Sequence, residues 1–269
     1  MRFSQFPFIT ILVLFMSNFD ATYCQSPLPN GHAHNDYEHE RPLLDALDLG
    51  YSSIEVDIHF YKKSLRVSHD DHDLESKPTL DELYLQPLKE LIQKNDGRIF
   101  KNDSTSLILM IDFKTKKKRA LQLLSNKLDK YNDLLTKQFR SYKQWAPIQI
   151  ILSGDPPLQK LNRLNRTYFY IDGRFEMAYP ANLEKMVARM SANINDIESI
   201  ASQNDRSKAL AKLVSEAKLN KRKIRFWATE DNPRTWIHLL EHGVDWISVD
   251  DLKGFAKFRE TYSKHNQDR

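Results

Sequence analysis

Ser53-Ile54-Glu55-Val56-Asp57-Ile58-His59 is the stretch from which the fold of this chain is read. Glu55 and Asp57 stand two residues apart with Ile54, Val56 and Ile58 interleaved. At the twofold period of a strand, both carboxylates leave one face and the branched apolar side chains leave the other. Two acids on one face of an apolar strand repel each other and are costly to bury. A cation held between them resolves that conflict, so the pair reads as part of a metal site. Histidines stand on either side in sequence, in Gly31-His32-Ala33-His34-Asn35-Asp36-Tyr37 and in Leu65-Arg66-Val67-Ser68-His69-Asp70.

Outward from this strand, short β-rich runs alternate with longer amphipathic stretches. Strands are expected over 53–60, 65–68, 107–113, 148–153, 167–171, 223–228 and 245–249. Their apolar residues run almost without break, as in Leu107-Ile108-Leu109-Met110-Ile111, which marks strands covered on both faces. Helices are expected over 42–49, 80–95, 117–131, 181–190, 206–219 and 233–242, with Gly50 and Gly243 where two of them stop. Such alternation predicts an α/β protein with a parallel sheet, and over this length an eight-stranded (β/α) TIM barrel. A doubly wound open sheet is the alternative. It is disfavoured by the lack of a glycine-rich phosphate loop in a chain with only 7 glycines. The barrel needs one more strand between 171 and 223, weakly marked and placed around 190–194. The polar segment 193–208 has no clear period and reads as a loop or lid.

No Gly-, Ser- or Pro-rich linker divides the 269 residues, so residues 26–269 read as one domain. Residues 1–25 read as a secretory signal peptide: Arg2 precedes an apolar run from Phe6 to Met16, shorter than the roughly 20 residues that a membrane helix needs. Cleavage is expected near Cys24 or Gln25. Cys24 is the only cysteine, so the mature protein carries no disulfide, and a secreted or periplasmic location is expected. The formal net charge is +4 from 40 basic and 36 acidic residues, too small an excess for a nucleic-acid surface, and no aromatic residues interleave the basic clusters. Lys116-Lys117-Lys118-Arg119 and Lys221-Arg222-Lys223 read as solvated helix ends, with any membrane contact peripheral. Asn102-Asp103-Ser104 and Asn165-Arg166-Thr167 are glycosylation sequons if the source is eukaryotic.

A TIM barrel collects its chemistry at the C-terminal ends of its strands. His32 and His34 would follow the first strand, Glu55 and Asp57 lie on the next, and His69 closes another. Asp112 and Lys114 end the run from Leu107, and Asp172, Trp227 and Asp250 stand at comparable ends. Glu55, Asp57 and Asp112 make a hard, all-oxygen ligand set suited to a divalent cation, Mg²⁺ or Ca²⁺ rather than zinc. The plain alternative is that the three are salt-bridged or surface acids.

These motifs resemble those of the phospholipase-C-like (PLC-like) phosphodiesterase superfamily, related to glycerophosphodiester phosphodiesterases. Gly50-Tyr51-Ser52-Ser53-Ile54-Glu55-Val56-Asp57 is similar to the family's Gly-Ala-x-x-(Ile/Val)-Glu-x-Asp, and Val67-Ser68-His69-Asp70 to its His-Asp. Ile111-Asp112-Phe113-Lys114 resembles the strand that carries a third metal carboxylate. Arg225-Phe226-Trp227-Ala228-Thr229, with the segment from Gly243 to Asp250, resembles the closing segment. The subgroup it looks most like opens with His-x-His-Asn-Asp-Tyr and includes proteins named altered inheritance of mitochondria protein 6. The chain departs from the standard His-Arg-Gly and Pro-Glu-Asn openings, with His32-Ala33-His34-Asn35 and Glu40-Arg41-Pro42-Leu43 in their place. Gly31-His32 followed by Asn35, with Asp112-x-Lys114-Thr115, is instead similar to phospholipase D toxins of the same superfamily.

The resemblance implies an exported, metal-dependent phosphoric diester hydrolase acting on a glycerophosphodiester or lysophospholipid, a small-molecule or lipid partner. His69 and one of His32 and His34 would serve as general acid and base, with His32 favoured by the Gly-His match. Lys114 would contact phosphate or bridge to a metal carboxylate, and Trp227 would wall the substrate pocket or pack in the core. His59 would hydrogen-bond behind the site, and His39 and His72 belong to solvated loops. Three other functions remain open at this point: a phosphotransferase that forms a cyclic phosphate, a barrel that binds phosphorylated ligands without turnover, and a metal-dependent hydrolase of a different ester.

Overall fold

The computed structural model describes residues 26–139, 142–164, 167–200 and 202–267. The expected signal peptide, with Cys24, and two residues of the second sequon lie outside the described residues.

In chain order the first elements are β1 (Gly31–Ala33), α1 (Leu44–Asp48), β2 (Ser53–Tyr61), β3 (Ser64–Val67), α2 (Gln86–Lys94), β4 (Leu107–Thr115) and α3 (Lys117–Leu128). The small pair β5 (Lys137–Gln138) and β6 (Lys143–Gln144) follows, then β7 (Ile148–Ser153), α4 (Leu158–Leu164), β8 (Phe169–Gly173), α5 (Ala181–Glu184) and β9 (Val187–Asn193). The chain continues through α6 (Ile194–Glu198), α7 (Gln203–Leu219), β10 (Lys223–Trp227), α8 (Pro233–Glu241), β11 (Trp246–Val249) and α9 (Leu252–Gln267).

Eight of the strands close on themselves in the order β1, β2, β4, β7, β8, β9, β10, β11, all parallel, with β11 pairing back onto β1. This is the eight-stranded parallel TIM barrel, and the closure excludes an open doubly wound sheet. Apolar residues on alternate positions, Ile54, Val56 and Ile58 of β2 and Leu107, Leu109 and Ile111 of β4, are wholly buried beneath the helices.

Four expectations are corrected. The run 65–68 is no barrel strand: β3 pairs antiparallel with β2 as a hairpin outside the ring. The first barrel strand is only Gly31–Ala33, so His32 lies within it and only His34 follows it. Residues 187–190, expected at the end of a helix, begin β9, which supplies the weakly marked strand. Val187-Ala188-Arg189-Met190 suits either period, and burial of Arg189 inside the barrel decides for the strand. The segment read as a loop or lid forms α6 and the start of α7, each capped by a polar side chain, Asn193 or Ser202, accepting from a backbone N–H.

The loop after β1 is pinned by Asp36. Its Oδ2 accepts from the Leu43 backbone N–H at 2.6 Å and the Tyr84 hydroxyl at 2.8 Å, while its buried Oδ1 has no partner among the described residues. Burial pushes its pKa up to about 6. The folded state therefore takes up a proton there at higher pH than the unfolded chain. The ionised group costs stability above that pH, and the cost fades as pH falls toward the usual carboxylate range. Asp36→Asn keeps an acceptor but cannot ionise. It is expected to remove about 1 kcal/mol of the stability that the wild type gains between pH 7.5 and pH 5. Urea melts of both proteins at the two pH values check this, and identical pH slopes would exclude it.

Candidate active site

Strand register builds the acidic centre. Parallel pairing of β2 with β4 sets Asp57 directly beside Asp112, and Glu55 lies two residues earlier on the same face. One oxygen from each of the three lies within 4.8 Å of the others, with Glu55 and Asp57 buried and Asp112 half-buried. Lys114, two residues beyond Asp112, places Nζ 3.0 Å from Asp57 Oδ2 and 3.3 Å from Asp112 Oδ1. Of its two sequence readings, the bridge between carboxylates is the one the geometry shows.

The three acids differ in how readily they ionise. Burial pushes Asp57 up to about 6 against the pull of Lys114, with Asp112 and Glu55 adding to the rise. Burial likewise raises Asp112. Burial also acts to raise Glu55, but the Arg225 guanidinium and His32 outweigh it and hold that carboxyl well below its usual range. Asp57 Oδ2 accepts from the Tyr37 hydroxyl at 2.8 Å and Lys114, and faces His69 Nδ1 at 3.2 Å; its Oδ1 is buried with no partner among the described residues. A crowded set of carboxylates with one orphaned buried oxygen is what a hard divalent cation satisfies. Glu55, Asp57 and Asp112 therefore fit Mg²⁺ or Ca²⁺.

The two candidate histidines of the first motif separate by depth. His32 is wholly buried, with Nδ1 2.7 Å from Ser53 Oγ and Nε2 3.0 Å from Glu55 Oε2. Burial lowers its pKa to about 3, so it is a neutral imidazole that donates Nε2–H to Glu55 and accepts from the Ser53 hydroxyl. His34 stands one residue past the end of β1, its side chain 31% exposed and its Nδ1 2.8 Å from Asp250 Oδ1. Burial acts to lower its pKa, but the bond to Asp250 and the negative charge of Glu55 raise it overall. His69 is reachable too, its side chain 56% exposed, with Nδ1 toward Asp57. Two imidazoles thus rim the acidic centre, each with Nδ1 turned to a carboxylate and Nε2 unpartnered among the described residues. This is the geometry of general acid and base groups oriented from behind.

A family model described as the AIM6-like phosphodiesterase domain matches residues 24–171. The chain belongs to this family. Altered inheritance of mitochondria protein 6 from Kluyveromyces lactis is 27% identical over 306 residues, 86% of this chain and 72% of that one. The homolog from Arthroderma benhamiae is 28% identical over 266 residues, 87% of this chain and 84% of that one. Among solved structures, a glycerophosphodiester phosphodiesterase from Parabacteroides distasonis superposes with a TM-score of 0.55 at 18% identity, covering 87% of this chain and 99% of its own. An Oleispira antarctica phosphodiesterase in complex with the product sn-glycerol-3-phosphate gives 0.52 at 14% identity, covering 88% of this chain and 97% of its own. Both share the barrel fold with this chain.

Around the acidic centre of the AIM6-like domain lie further groups, among them three arginines, Arg174, Arg189 and Arg225, to which the sequence alone assigns no role. Arg225 of β10 donates to Glu55 Oε2 at 2.7 Å. Asp172, read only as a residue at a strand end, is surrounded instead by cations: Arg174 Nη1 at 2.7 Å, Arg189 Nε at 3.4 Å and Arg225 Nη2 at 3.9 Å. His59 spans 3.1 Å and 3.3 Å from Nε2 to the carbonyls of Ser68 and His69, so it steadies the loop that presents His69. Trp227 ends β10 on the strand face that Arg225 shares, half-buried, its indole N–H unpartnered among the described residues. His72 is exposed and His39 half-buried in a loop. The basic run from Lys116 to Arg119 is the expected exposed helix end, at the start of α3. With Lys114, Asp155 and Pro157 it lines an open groove of about 730 Å³, where Lys117 pairs with Asp155 at 2.9 Å.

Gly154, just past β7, has φ +65, and a Cβ there would overlap the Asp112 carboxylate. Gly154→Ala is expected to displace Asp112 and weaken divalent-cation binding by about tenfold or more, in the range of losses seen when groups supporting a metal ligand are disturbed. Calorimetric titration with Mg²⁺ and Ca²⁺ reads this directly, and wild-type affinity in the variant would show that Asp112 is not a ligand.

Proposed function

We propose that this phosphodiesterase domain, one domain over residues 26–269, is an exported, divalent-cation-dependent phosphoric diester hydrolase. Its substrate is a glycerophosphodiester or a lysophospholipid-type diester. The observation that carries the reading is the pair of reachable imidazoles, His34 and His69, each tethered to an aspartate at the edge of a three-carboxylate cluster. Held by Glu55, Asp57 and Asp112, Mg²⁺ or Ca²⁺ would offset the diester's charge and the further charge that develops on its oxygens.

The protein's own groups do the rest. His69 Nε2 accepts the proton of the attacking hydroxyl or water. His34, whose imidazolium is favoured by Asp250 and Glu55, donates from Nε2 to the leaving oxygen. His32, preferred for this work from its Gly-His context, instead orients Glu55. Lys114 binds a phosphate oxygen from its seat between Asp57 and Asp112, and Trp227 lines the mouth. Four consecutive cations at the N-terminal turn of α3 oppose the helix dipole, an arrangement that an anionic substrate lying in the groove would relieve. The Oleispira antarctica enzyme's sn-glycerol-3-phosphate product supports a glycerol-based diester. The apolar run from Phe6 to Met16 supports export.

Glycerophosphocholine, lysophosphatidylcholine and bis(4-nitrophenyl) phosphate, each with Mg²⁺, Ca²⁺ or chelator, form the test panel. Turnover is expected with metal and abolished by chelator, and phosphorus NMR of the product separates hydrolysis to a monoester from closure to a cyclic phosphate. No turnover of any diester by protein that binds metal calorimetrically would overturn the proposal.

A further inference from the structure

The opposite end of the barrel carries a second polar cavity, of about 330 Å³, where β7, β8, β10 and β11 begin. An apolar layer of Met110, Ile151 and Tyr170 lies inside the barrel above it, toward the carboxylate centre. Among the described residues, five cationic ones line this N-terminal mouth and no acidic one does. Two of the five are matched: Lys223 bonds Asp245 at 2.6 Å, and Arg189 lies 3.4 Å from Asp172. Lys143, Lys185 and Lys221 pair with no carboxylate among the described residues.

Two of the lining groups are held in a state that calls for an acceptor. The Lys143 ammonium is half-buried, 3.7 Å from the centre of the Trp145 ring and 4.9 Å from that of Tyr170, and burial lowers its pKa. Tyr170 is 3% exposed, and its buried hydroxyl finds no hydrogen-bond partner among the described residues. A buried phenol without a partner is costly, a half-buried ammonium has lost part of its hydration, and one anionic acceptor satisfies both. Three unmatched ammonium groups suit a dianion better than a single carboxylate. Trp145, 66% exposed, and Trp246 add aromatic surface for the organic part of such a ligand.

We propose that the N-terminal mouth of the barrel is a binding site for a phosphate monoester, held by Tyr170, Lys143, Lys185 and Lys221 and distinct from the carboxylate centre. The monoester is either a free organic phosphate or the headgroup of an anionic lipid, and the binding chemistry is the same for both.

The test titrates the intact protein with inorganic phosphate and with sn-glycerol 3-phosphate at constant ionic strength, reading tryptophan fluorescence and Tm. Wild type, Tyr170→Phe, Lys143→Met and Lys114→Met are compared. Tyr170→Phe deletes only an unpartnered hydroxyl, so it keeps the fold. The expected result is saturable binding that weakens tenfold or more in Tyr170→Phe and Lys143→Met, persists in Lys114→Met, and leaves diester turnover of the first two variants unchanged. Sedimentation with phosphatidate vesicles that Tyr170→Phe abolishes names the lipid headgroup as the source. Saturable binding of soluble phosphates without sedimentation names the free ligand. Equal affinity in wild type, Tyr170→Phe and Lys143→Met, or no saturable binding at tens of millimolar phosphate, overturns the proposal.

Discussion

Replacing His34 or His69 with alanine is expected to lower kcat by about 10²–10⁴-fold, the usual contribution of a positioned acid or base. Neither loss should disturb the fold, because both rings reach solvent and each gives up a single bond to a carboxylate. His32→Ala is expected to behave differently. It deletes a wholly buried ring that bonds both Ser53 and Glu55, so it should cost about 2–4 kcal/mol of stability. The pH profile separates the roles further. Asp250 raises the pKa of His34, so in Asp250→Asn the imidazolium loses its proton at lower pH. The alkaline limb of kcat should then move to lower pH. Steady-state kinetics from pH 5 to 9 with thermal melts of each variant decide the matter. A fully active His34→Ala beside a dead but stably folded His32→Ala would return the catalytic role to His32.

The sequence made the acidic strand legible because Glu55 and Asp57 obey a local rule, the twofold period of a strand interleaved with branched apolar residues. Asp112 came from its place at a strand end; that it sits beside Asp57 is a property of register, set by pairing across fifty-five residues, which no local pattern encodes. His32 and His34 share one face by the same period and differ only in depth. The difference depends on β1 ending at Ala33, and three residues are too few for a strand to announce itself. The arginines are hidden by the ambiguity of strand alternation. In Lys223-Ile224-Arg225-Phe226-Trp227 the alternation places Ile224 and Phe226 on one face, and the other face is easily taken for solvent. In a closed barrel that other face is the interior. Arg225 and Arg189 point there because the barrel's carboxylates need counter-charges, a demand visible only once β2, β8, β9 and β10 are brought together.

Arg225→Leu is accordingly expected to cost about 3–5 kcal/mol, the range for removing one partner of a buried ion pair, and to lower Tm by roughly 10 °C. Arg225 is 3% exposed and reaches Glu55 Oε2 at 2.7 Å, Ser191 Oγ at 3.1 Å and Ser248 Oγ at 3.3 Å. Asp172 keeps Arg174 and Arg189 when Arg225 is lost, whereas among the described residues Glu55 keeps only a neutral His32. The penalty therefore falls on Glu55, whose carboxyl should move up in pKa as the cation that outweighs its burial disappears. Glu55→Gln in the Arg225→Leu background removes the uncompensated charge and should recover part of the loss, so the double-mutant cycle is expected to be non-additive. Added Mg²⁺ or Ca²⁺ supplies the missing positive charge at the same carboxylate and should raise Tm of Arg225→Leu by more than it raises that of the wild type. Melts of the four proteins with and without metal measure both effects. An additive cycle, with equal metal-induced shifts in wild type and Arg225→Leu, would mean that Arg225 supports the barrel by packing rather than by holding Glu55 ionised.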